Sequence, residues 1–173
     1  MTAAPRPDHA AIEITLQTLA IKTRPYGHPD TQTLVAALHA EQLAQYDHAD
    51  PVDPPTDTAY VSPDGLFLVA YVHGEPVACG GYHTRADASG DERVVEIKKM
   101  YTAPAWRGHG LGKGILTRLE KHAAAAGATR VLLETGVHNT AALVLYTNMG
   151  YEPIEAYVAG RDPAVNRAFC KQL

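Results

Sequence analysis

The sequence predicts a single α/β domain, with a mixed central sheet of about six to seven strands flanked by helices. Two observations carry this prediction. Strand-like segments follow one another over residues 66–102, which is typical of an antiparallel meander. Strand and helix then alternate over residues 93–149, as in a parallel crossover. The length of 173 residues suits one domain with a core of useful size.

The first half of the chain predicts an antiparallel sheet interrupted by one helix. A strand over residues 18–24 precedes a helix with apolar residues three and four apart, for which Asp30 or Thr31 is the expected N-cap. A stretch rich in Pro and Asp predicts a loop that could form part of a substrate entrance. Strands over 66–72 and 76–84 are joined at "HGE" by a tight hairpin turn.

The second half predicts a β-α-β-α run that closes the sheet. A strand over 93–102 follows the polar loop "RADASGDE". The remaining elements are a helix over about 112–126, a strand over 130–135, a helix over about 140–149, a strand in "EPIEAYV" and a last strand in "NRAFCKQL". The crossover from the strand at 93–102 to the strand at 130–135 has the length of a right-handed parallel connection.

Composition narrows the class of protein. The chain is 46% hydrophobic and 20% charged, and no apolar run approaches the roughly 18 residues that span a bilayer. A net charge of −4 gives no argument for nucleic acid or an anionic membrane as partner. Residues 1–17 are predicted to be a flexible leader before a single domain at 18–173. The first ten residues lack the apolar core of a secretory signal, so we expect a cytoplasmic protein.

The cysteines and histidines predict no metal site. Cys79 and Cys170 have no CxxC spacing, which favours two reduced thiols over a zinc site or a disulfide. The nine histidines show no HExxH or similar spacing. We therefore expect no metal cofactor.

The stretch "RGHGLGKG", residues 107–114, lies where the helix over 112–126 begins. A helix N-terminus offers unpaired backbone N–H groups and a positive dipole end, and glycines let a phosphate approach the backbone closely. The P-loop pattern fails, since Arg107 stands at its first glycine and Gly114 at its hydroxyl position. The dinucleotide fingerprint fails as well, since Lys113 or Ile115 stands at its third glycine.

The stretch "MYTAPAWRGHGLGKGIL" resembles the acetyl-coenzyme A signature of the GCN5-related N-acetyltransferase (GNAT) superfamily. The preceding "VVEIKKMY" and the later "HNTAALVLYTNMGYEPI" are similar to neighbouring motifs of that family. The resemblance covers residues 93–155, while the first 92 residues match in element order alone. It implies the acyl-CoA N-acyltransferase fold, in which the strand before the loop carries a bulge and splays from its parallel neighbour.

The resemblance implies which residues bind the co-substrate acetyl-CoA. Main-chain groups at the bulged strand would face the pantetheine arm, amides of the glycine loop would hold the pyrophosphate, and an asparagine would lie near the pantetheine. By position these are Met100, Tyr101 and Thr102, then Arg107, Gly108, His109, Gly110, Leu111, Gly112 and Lys113, and finally Asn139. The side chains of Arg107 and Lys113 would add positive charge.

The resemblance also implies two catalytic residues. Glu96 would be the general base, directly or through water, and Tyr146 would face the thioester sulfur and protonate the departing thiolate. Strand alternation puts Glu96, Lys98 and Met100 on one face of the strand. A solvated Glu96 paired with Lys98, and a Tyr146 that only packs in the core, stay open as alternatives.

Weaker candidates complete the predicted site. Glu92 is a second candidate base, and Cys79 is a remote candidate nucleophile with no base beside it in sequence. A backbone N–H near the bulge is expected to stabilise the oxyanion. Four further side chains could line the acceptor pocket, although each is more often structural. These are Tyr46, Tyr60, Tyr82 and His83.

The expected function is transfer of an acetyl group from acetyl-CoA to a primary amine of a small molecule or peptide, by direct attack. A non-catalytic acyl-CoA sensing module and a protein N-terminal acetyltransferase are the alternatives. The acceptor, and whether the protein forms a homodimer, are left open by the sequence.

Overall fold

The computed structural model describes residues 18–46, 53–54, 56–86 and 92–173. The predicted leader at 1–17 and part of the loop "RADASGDE" lie outside these residues. The strands are β1 (Ala20–Thr23), β2 (Gly65–Val72), β3 (Glu75–Thr84), β4 (Val94–Thr102), β5 (Arg130–Gly136), β6 (Glu152–Ile154) and β7 (Asn166–Gln172). The helices are α1 (Pro29–Tyr46), α2 (Leu111–Ala125) and α3 (Thr140–Asn148), with a 3₁₀ turn at Pro104–Trp106.

All seven strands form one mixed sheet in the order β1-β2-β3-β4-β5-β7-β6. Strands β4 and β5 pair in parallel, and every other neighbouring pair in this sheet is antiparallel. Helix α2 makes the crossover between the two parallel strands. The predicted fold class, with an antiparallel N-terminal part and one parallel pair, is confirmed.

The hairpin between β2 and β3 turns where the sequence predicts. His73 has a φ of 50° and Gly74 a φ of 85°. Two successive residues with positive φ are the mark of a type I′ turn, whose twist matches that of the flanking strands. The turn sets the register in which Val72 pairs with Glu75.

The core lies on both faces of the sheet. On one face α2 buries apolar residues spaced three and four apart, including Ile115 and Leu119, against Val95 and Ile97 of β4. On the other face Leu34 and Val35 of α1 pack with Phe67 and other residues of β2 and β3. Because both faces are covered, every residue of β2 is buried.

The start of α1 and the length of β6 differ from the predictions. Helix α1 begins at Pro29, and the ring Nδ1 of His28 accepts the N–H of Asp30 at 3.2 Å. The Asp30 carboxylate accepts instead from the Tyr71 hydroxyl at 2.6 Å, and Thr31 is buried. Strand β6 ends at Ile154, earlier than predicted, and Tyr157 of the following segment contacts Glu96 of β4.

Within the described part of the chain, no helix is long and apolar enough to cross a membrane. The same residues contain no group of three or more His, Cys, Asp or Glu side chains that could hold a metal ion.

Candidate active site

A cleft opens where β4 and β5 separate. Their parallel pairing runs from Val94 opposite Arg130 to Ile97 opposite Leu133 and then stops. Beyond that point β4 continues beside β3, and β5 continues beside β7. The splayed pair that the resemblance implies is therefore present, and the cleft lies between its two arms, with α1 along one side.

A β-bulge at Lys99 accompanies the separation. Cys79 of β3 pairs with Tyr101, whereas Gly81 pairs with Lys98, so two residues of β4 stand against Gly80. Lys99 has a φ of 57°, in the left-handed region that residues other than glycine rarely adopt. Gly80 lacks a Cβ where one would overlap the Met100 side chain.

The bulge corrects the predicted direction of Met100. Strict alternation places Met100 on the face of Glu96, but the inserted residue shifts the alternation by one. Met100 packs against the α2 face of the core, together with Val95 and Ile97, while Tyr101 packs on the α1 face. The main chain at Met100 therefore borders the cleft at the point where β4 has lost its parallel partner.

The glycine loop leads directly into α2. Gly108 and Gly110 have φ values of 79° and 76°, and no protein atom lies within 4 Å of a Cβ built on either. The N–H of Gly114 donates to the carbonyl of Gly110 at 2.9 Å. The amides of Leu111, Gly112 and Lys113 belong to the first turn of α2, which has no intrahelical acceptors for them. The loop therefore presents backbone donors beside open space.

Two side chains of the glycine loop, those of Arg107 and His109, make polar contacts within the protein. The Arg107 guanidinium donates to both oxygens of Glu41 on α1, at 2.6 and 2.8 Å, and through Nε to the Thr102 carbonyl at 2.9 Å. The Arg107 N–H donates to the Pro104 carbonyl at 3.3 Å. Nδ1 of His109 lies 3.0 Å from the Arg107 carbonyl oxygen. These contacts tie the loop to α1 and to the end of β4.

Glu96 is buried on the cleft side of β4, with 5% of its surface exposed. Its Oε2 accepts from Arg85 at 3.1 Å and lies 3.5 Å from Nε2 of His83. Its Oε1 accepts from the Tyr157 hydroxyl at 2.9 Å and lies 3.8 Å from Nζ of Lys98. The Arg85 guanidinium also stacks on the Tyr157 ring, 4.8 Å from its centre. Two hydrogen bonds leave acceptor capacity on a carboxylate that borders the cleft.

Tyr146 on α3 is 4% exposed and reaches the cleft from the β5 side. The centre of its ring lies 5.7 Å from the ring centre of Tyr151 and 6.2 Å from that of Phe169. Among the described residues, none shares a hydrogen bond with its hydroxyl. Burial raises the pKa of Tyr146 well above its usual value. The phenol therefore stays protonated, and able to donate, throughout the neutral and mildly alkaline range.

Asn139 begins α3. Its side-chain oxygen accepts the N–H of Ala142 at 3.2 Å, which makes it the N-cap, and the residue also borders the cleft. Of the predicted site residues, Glu96, Met100, Asn139 and Tyr146 thus meet at one cleft. The others, from Tyr101 to Lys113, lie along the end of β4 and the glycine loop that follows it.

The structure places most of the weaker candidates elsewhere. Glu92 lies before β4 and pairs with Arg130 at 3.3 Å, at the end of the strand remote from the bulge. Cys79 is fully buried, its thiol donates to the Lys99 carbonyl at 3.4 Å, and burial raises its pKa. Tyr82 is buried and bonds to His122, and Tyr60 stacks on Tyr26.

Tyr46 is the weaker candidate that does line the cleft. Its hydroxyl accepts the N–H of His138 at 3.1 Å, and its ring stacks on the His138 ring. The hydroxyl occupies the place where a Cβ on Gly136 would be, so β5 needs a glycine at this position. Tyr46 thereby connects the end of α1 to the end of β5 across the cleft.

Comparison with known proteins identifies the family. The model of the "Acetyltransferase (GNAT) family" matches residues 33–151. The chain belongs to this family. The match confirms the resemblance and extends it into the first 92 residues, where the sequence motifs carried none of it.

Individual relatives agree with this assignment. This GNAT protein is 39% identical over 104 residues to an "IAA acetyltransferase" of Azospirillum brasilense, a match that covers 58% of this chain and 64% of the relative. A candidate acyl-CoA N-acyltransferase from Klebsiella pneumoniae subsp. pneumoniae is 28% identical, with a TM-score of 0.71 over 90% of this chain and 97% of that one. A candidate acetyltransferase from Salmonella typhimurium, solved with its cofactor acetyl-CoA, shares the fold at 19% identity, with a TM-score of 0.61 and coverage of 89% and 93%.

The residues that sequence reasoning missed in this GNAT protein are those that hold Glu96. Arg85 stands in a polar loop, and Tyr157 stands in a segment predicted to be a strand, 61 positions from Glu96. Arg161, from the same connection between β6 and β7, pairs with Glu134 of β5 at 3.0 Å. No local pattern marks such pairings, because they exist only when distant segments fold over the same cleft.

Proposed function

We propose that the protein is an acetyl-CoA-dependent N-acetyltransferase that acetylates a primary amine of a small molecule or peptide by direct attack in a ternary complex. The observation that carries the proposal is that Glu96 and Tyr146, from β4 and α3, line one cleft at the parting of β4 and β5. A residue that can accept a proton and one that can donate a proton therefore face the same space.

The residues present fit acetyl-CoA. The amides from Gly108 to Lys113 would hold the pyrophosphate, since two glycines with positive φ leave open space beside donors at a helix N-terminus. Main-chain groups of Met100, Tyr101 and Thr102 would bind the pantetheine arm along the free edge of β4, with Asn139 across the cleft. The related Salmonella structure with acetyl-CoA supports this choice of co-substrate.

The sequence predicts that the Arg107 side chain adds positive charge at the pyrophosphate site, but we propose a structural role for it. Its guanidinium is committed to Glu41 and to the Thr102 carbonyl. We therefore assign it to holding the loop in shape, and we assign the pyrophosphate to the amides that follow it.

We assign each proposed catalytic group one role: accepting a proton, donating a proton, or stabilising the negative charge that develops on the carbonyl oxygen. Acetyl-CoA supplies the thioester carbonyl on which the amine adds. Glu96 accepts the proton that the acceptor ammonium must lose, directly or through one water. An N–H at Met100 or Tyr101 donates to the carbonyl oxygen as negative charge develops on it. Tyr146 donates its phenolic proton to the departing sulfur, and the second proton that the nitrogen loses as the amide forms restores the phenol.

The test is thiol release from acetyl-CoA over a panel of polyamines, aminoglycosides, amino acids and peptides, with the acetylated product identified by mass spectrometry. We expect release that depends on one class of amine and yields an N-acetyl product. Tight acetyl-CoA binding without turnover of any amine would support the sensing module instead. Turnover confined to peptides with a free α-amino group would support N-terminal acetylation.

Gly110→Ala is expected to weaken acetyl-CoA binding about 10-fold while lowering the melting temperature by a few degrees. A left-handed residue with a side chain costs roughly 1–2 kcal/mol, and the new methyl group would fill the space assigned to the pyrophosphate. Titration calorimetry with coenzyme A measures the effect. Gly127→Ala is the matched control, since Gly127 also has positive φ and open space but lies at the other end of α2. Equal losses of affinity in the two variants would contradict the assignment.

A further inference from the structure

Most charged side chains that line the cleft are neutralised within the protein. Glu41 is bonded to Arg107 at 2.6 Å, Glu134 lies 3.0 Å from Arg161, and Lys99 lies 3.1 Å from Asp53. In each of these three pairs, the charge of the residue that lines the cleft is balanced by an opposite charge. The acceptor therefore meets no broad acidic surface among the described residues that line the cleft.

Lys98 is paired less closely than these residues, since its ion pair with Glu96 is longer. It stands two positions after Glu96, before the bulge, and so lies on the same face of β4. Its Nζ is 3.8 Å from Oε1 of Glu96, beyond hydrogen-bond distance, and 29% of its side chain is exposed. Glu96 meanwhile accepts shorter bonds from Arg85 and Tyr157. The Lys98 ammonium thus faces the cleft with its hydrogen-bonding capacity largely unused by the described residues.

This arrangement sets a requirement on the acceptor. An amine that reaches Glu96 comes close to the like charge of Lys98, and every further positive charge on the acceptor adds to that repulsion. An anionic group next to the amine reverses the effect, because it can accept hydrogen bonds from Lys98. Because Nζ of Lys98 lies only 3.8 Å from Oε1 of Glu96, a molecule whose amine contacts Glu96 reaches Lys98 with a carboxylate that is close to that amine.

Resting on the proposed acetyl transfer, we propose that the acceptor is an amine that carries a carboxylate close to the reacting nitrogen, as in an amino acid, and that Lys98 binds this carboxylate. Lys98 is then a specificity-determining residue. Polyamines and aminoglycosides are poor acceptors, since they bring additional positive charge to the Lys98 side of the cleft.

The test compares acceptors that differ only in the anionic group. Several L-amino acids and their primary amides, with spermidine as the polycation, are assayed by thiol release and product mass. The wild type acetylates the best acid with kcat/KM at least about 10-fold above that of its amide, the size expected of a hydrogen bond between charged groups. The amide has the more readily deprotonated amine, so the comparison is biased against the proposal.

Variants at Lys98 assign the preference to this side chain. Lys98→Met raises KM for the acid about 10-fold, leaves kcat nearly unchanged, and brings the acid-to-amide ratio near one. Lys98→Arg restores much of the preference. Lys121→Met, which removes the same charge from an exposed position on α2, behaves as wild type.

Three results would overturn the proposal. The first is that an amide or spermidine is acetylated with a kcat/KM equal to that of the best acid. The second is that Lys98→Met lowers kcat/KM for acid and amide by the same factor. Either result leaves the proposed acetyltransferase activity intact. Absence of thiol release with every amine, while coenzyme A binds, would overturn the proposed catalytic function and this inference together.

Discussion

Tyr146→Phe is expected to lower kcat about 100-fold while changing the affinity for acetyl-CoA less than threefold, since a positioned general acid contributes on the order of 10²–10⁴. The substitution removes the hydroxyl and keeps the ring that packs against Tyr151 and Phe169. Steady-state kinetics with a saturating amine, together with calorimetric titration of acetyl-CoA, separates the two quantities.

The pH dependence of the wild type provides a second check on Tyr146. Burial raises the pKa of this phenol, so its proton is retained above pH 10, where an ordinary tyrosine begins to ionise. The rate should therefore show no loss from ionisation of Tyr146 up to pH 10. A decline between pH 8 and pH 9 that Tyr146→Phe abolishes would contradict this assignment.

Tyr151→Phe is the matched control. Tyr151 is equally buried and adjacent, but its hydroxyl donates to Glu120 at 2.8 Å on the α2 side. Its loss should lower the melting temperature and leave kcat near the wild-type value. If both variants lose the same factor in kcat, or neither loses any, the hydroxyl of Tyr146 is not the proton donor.

Glu96→Gln is expected to lower kcat/KM about 100-fold at pH 7 and to move the rate profile toward higher pH. Without the carboxylate, the ammonium of the acceptor must lose its proton to solvent, and the neutral fraction rises with pH. A pH series from 6 to 10 measures the shift. A uniform loss at every pH would contradict the role of Glu96 as base.

Tyr157→Phe distinguishes the role of Glu96 as a base from the hydrogen bonding that positions its carboxylate. It deletes the hydrogen bond to Oε1 and leaves both the charge of Glu96 and its bond to Arg85. We expect a loss of no more than about 10-fold, of the size of one hydrogen bond to a charged group, without the shift in pH profile. Thermal unfolding of both variants checks that neither loss of activity reflects loss of structure.

Much of the fold could be predicted because local patterns specify it. The β-branched run of β4, the hairpin at His73 and Gly74, and the apolar spacing of α2 each depend on residues close in sequence. The glycine loop is also local, since Gly108 and Gly110 adopt the positive φ that glycine permits. These elements lie within a residue or two of their predicted bounds.

The direction of Met100 could not be predicted by alternation. A bulge inserts one residue without a local signal in "EIKKMY", because Gly80 on the neighbouring strand provides the space for Met100. The early end of β6 has a similar origin, since Tyr157 leaves the sheet to reach Glu96. In both cases a contact between distant segments overrides the local pattern.

By itself, the sequence determined the order of the elements, the glycine loop before α2 and the family resemblance, because each follows from residue types at short spacing. The tertiary structure alone decided how Glu96 is held by Arg85 and Tyr157 and how Arg107 binds Glu41. The physical reason is that these contacts join residues between 11 and 66 positions apart, and no local periodicity encodes the distance between them.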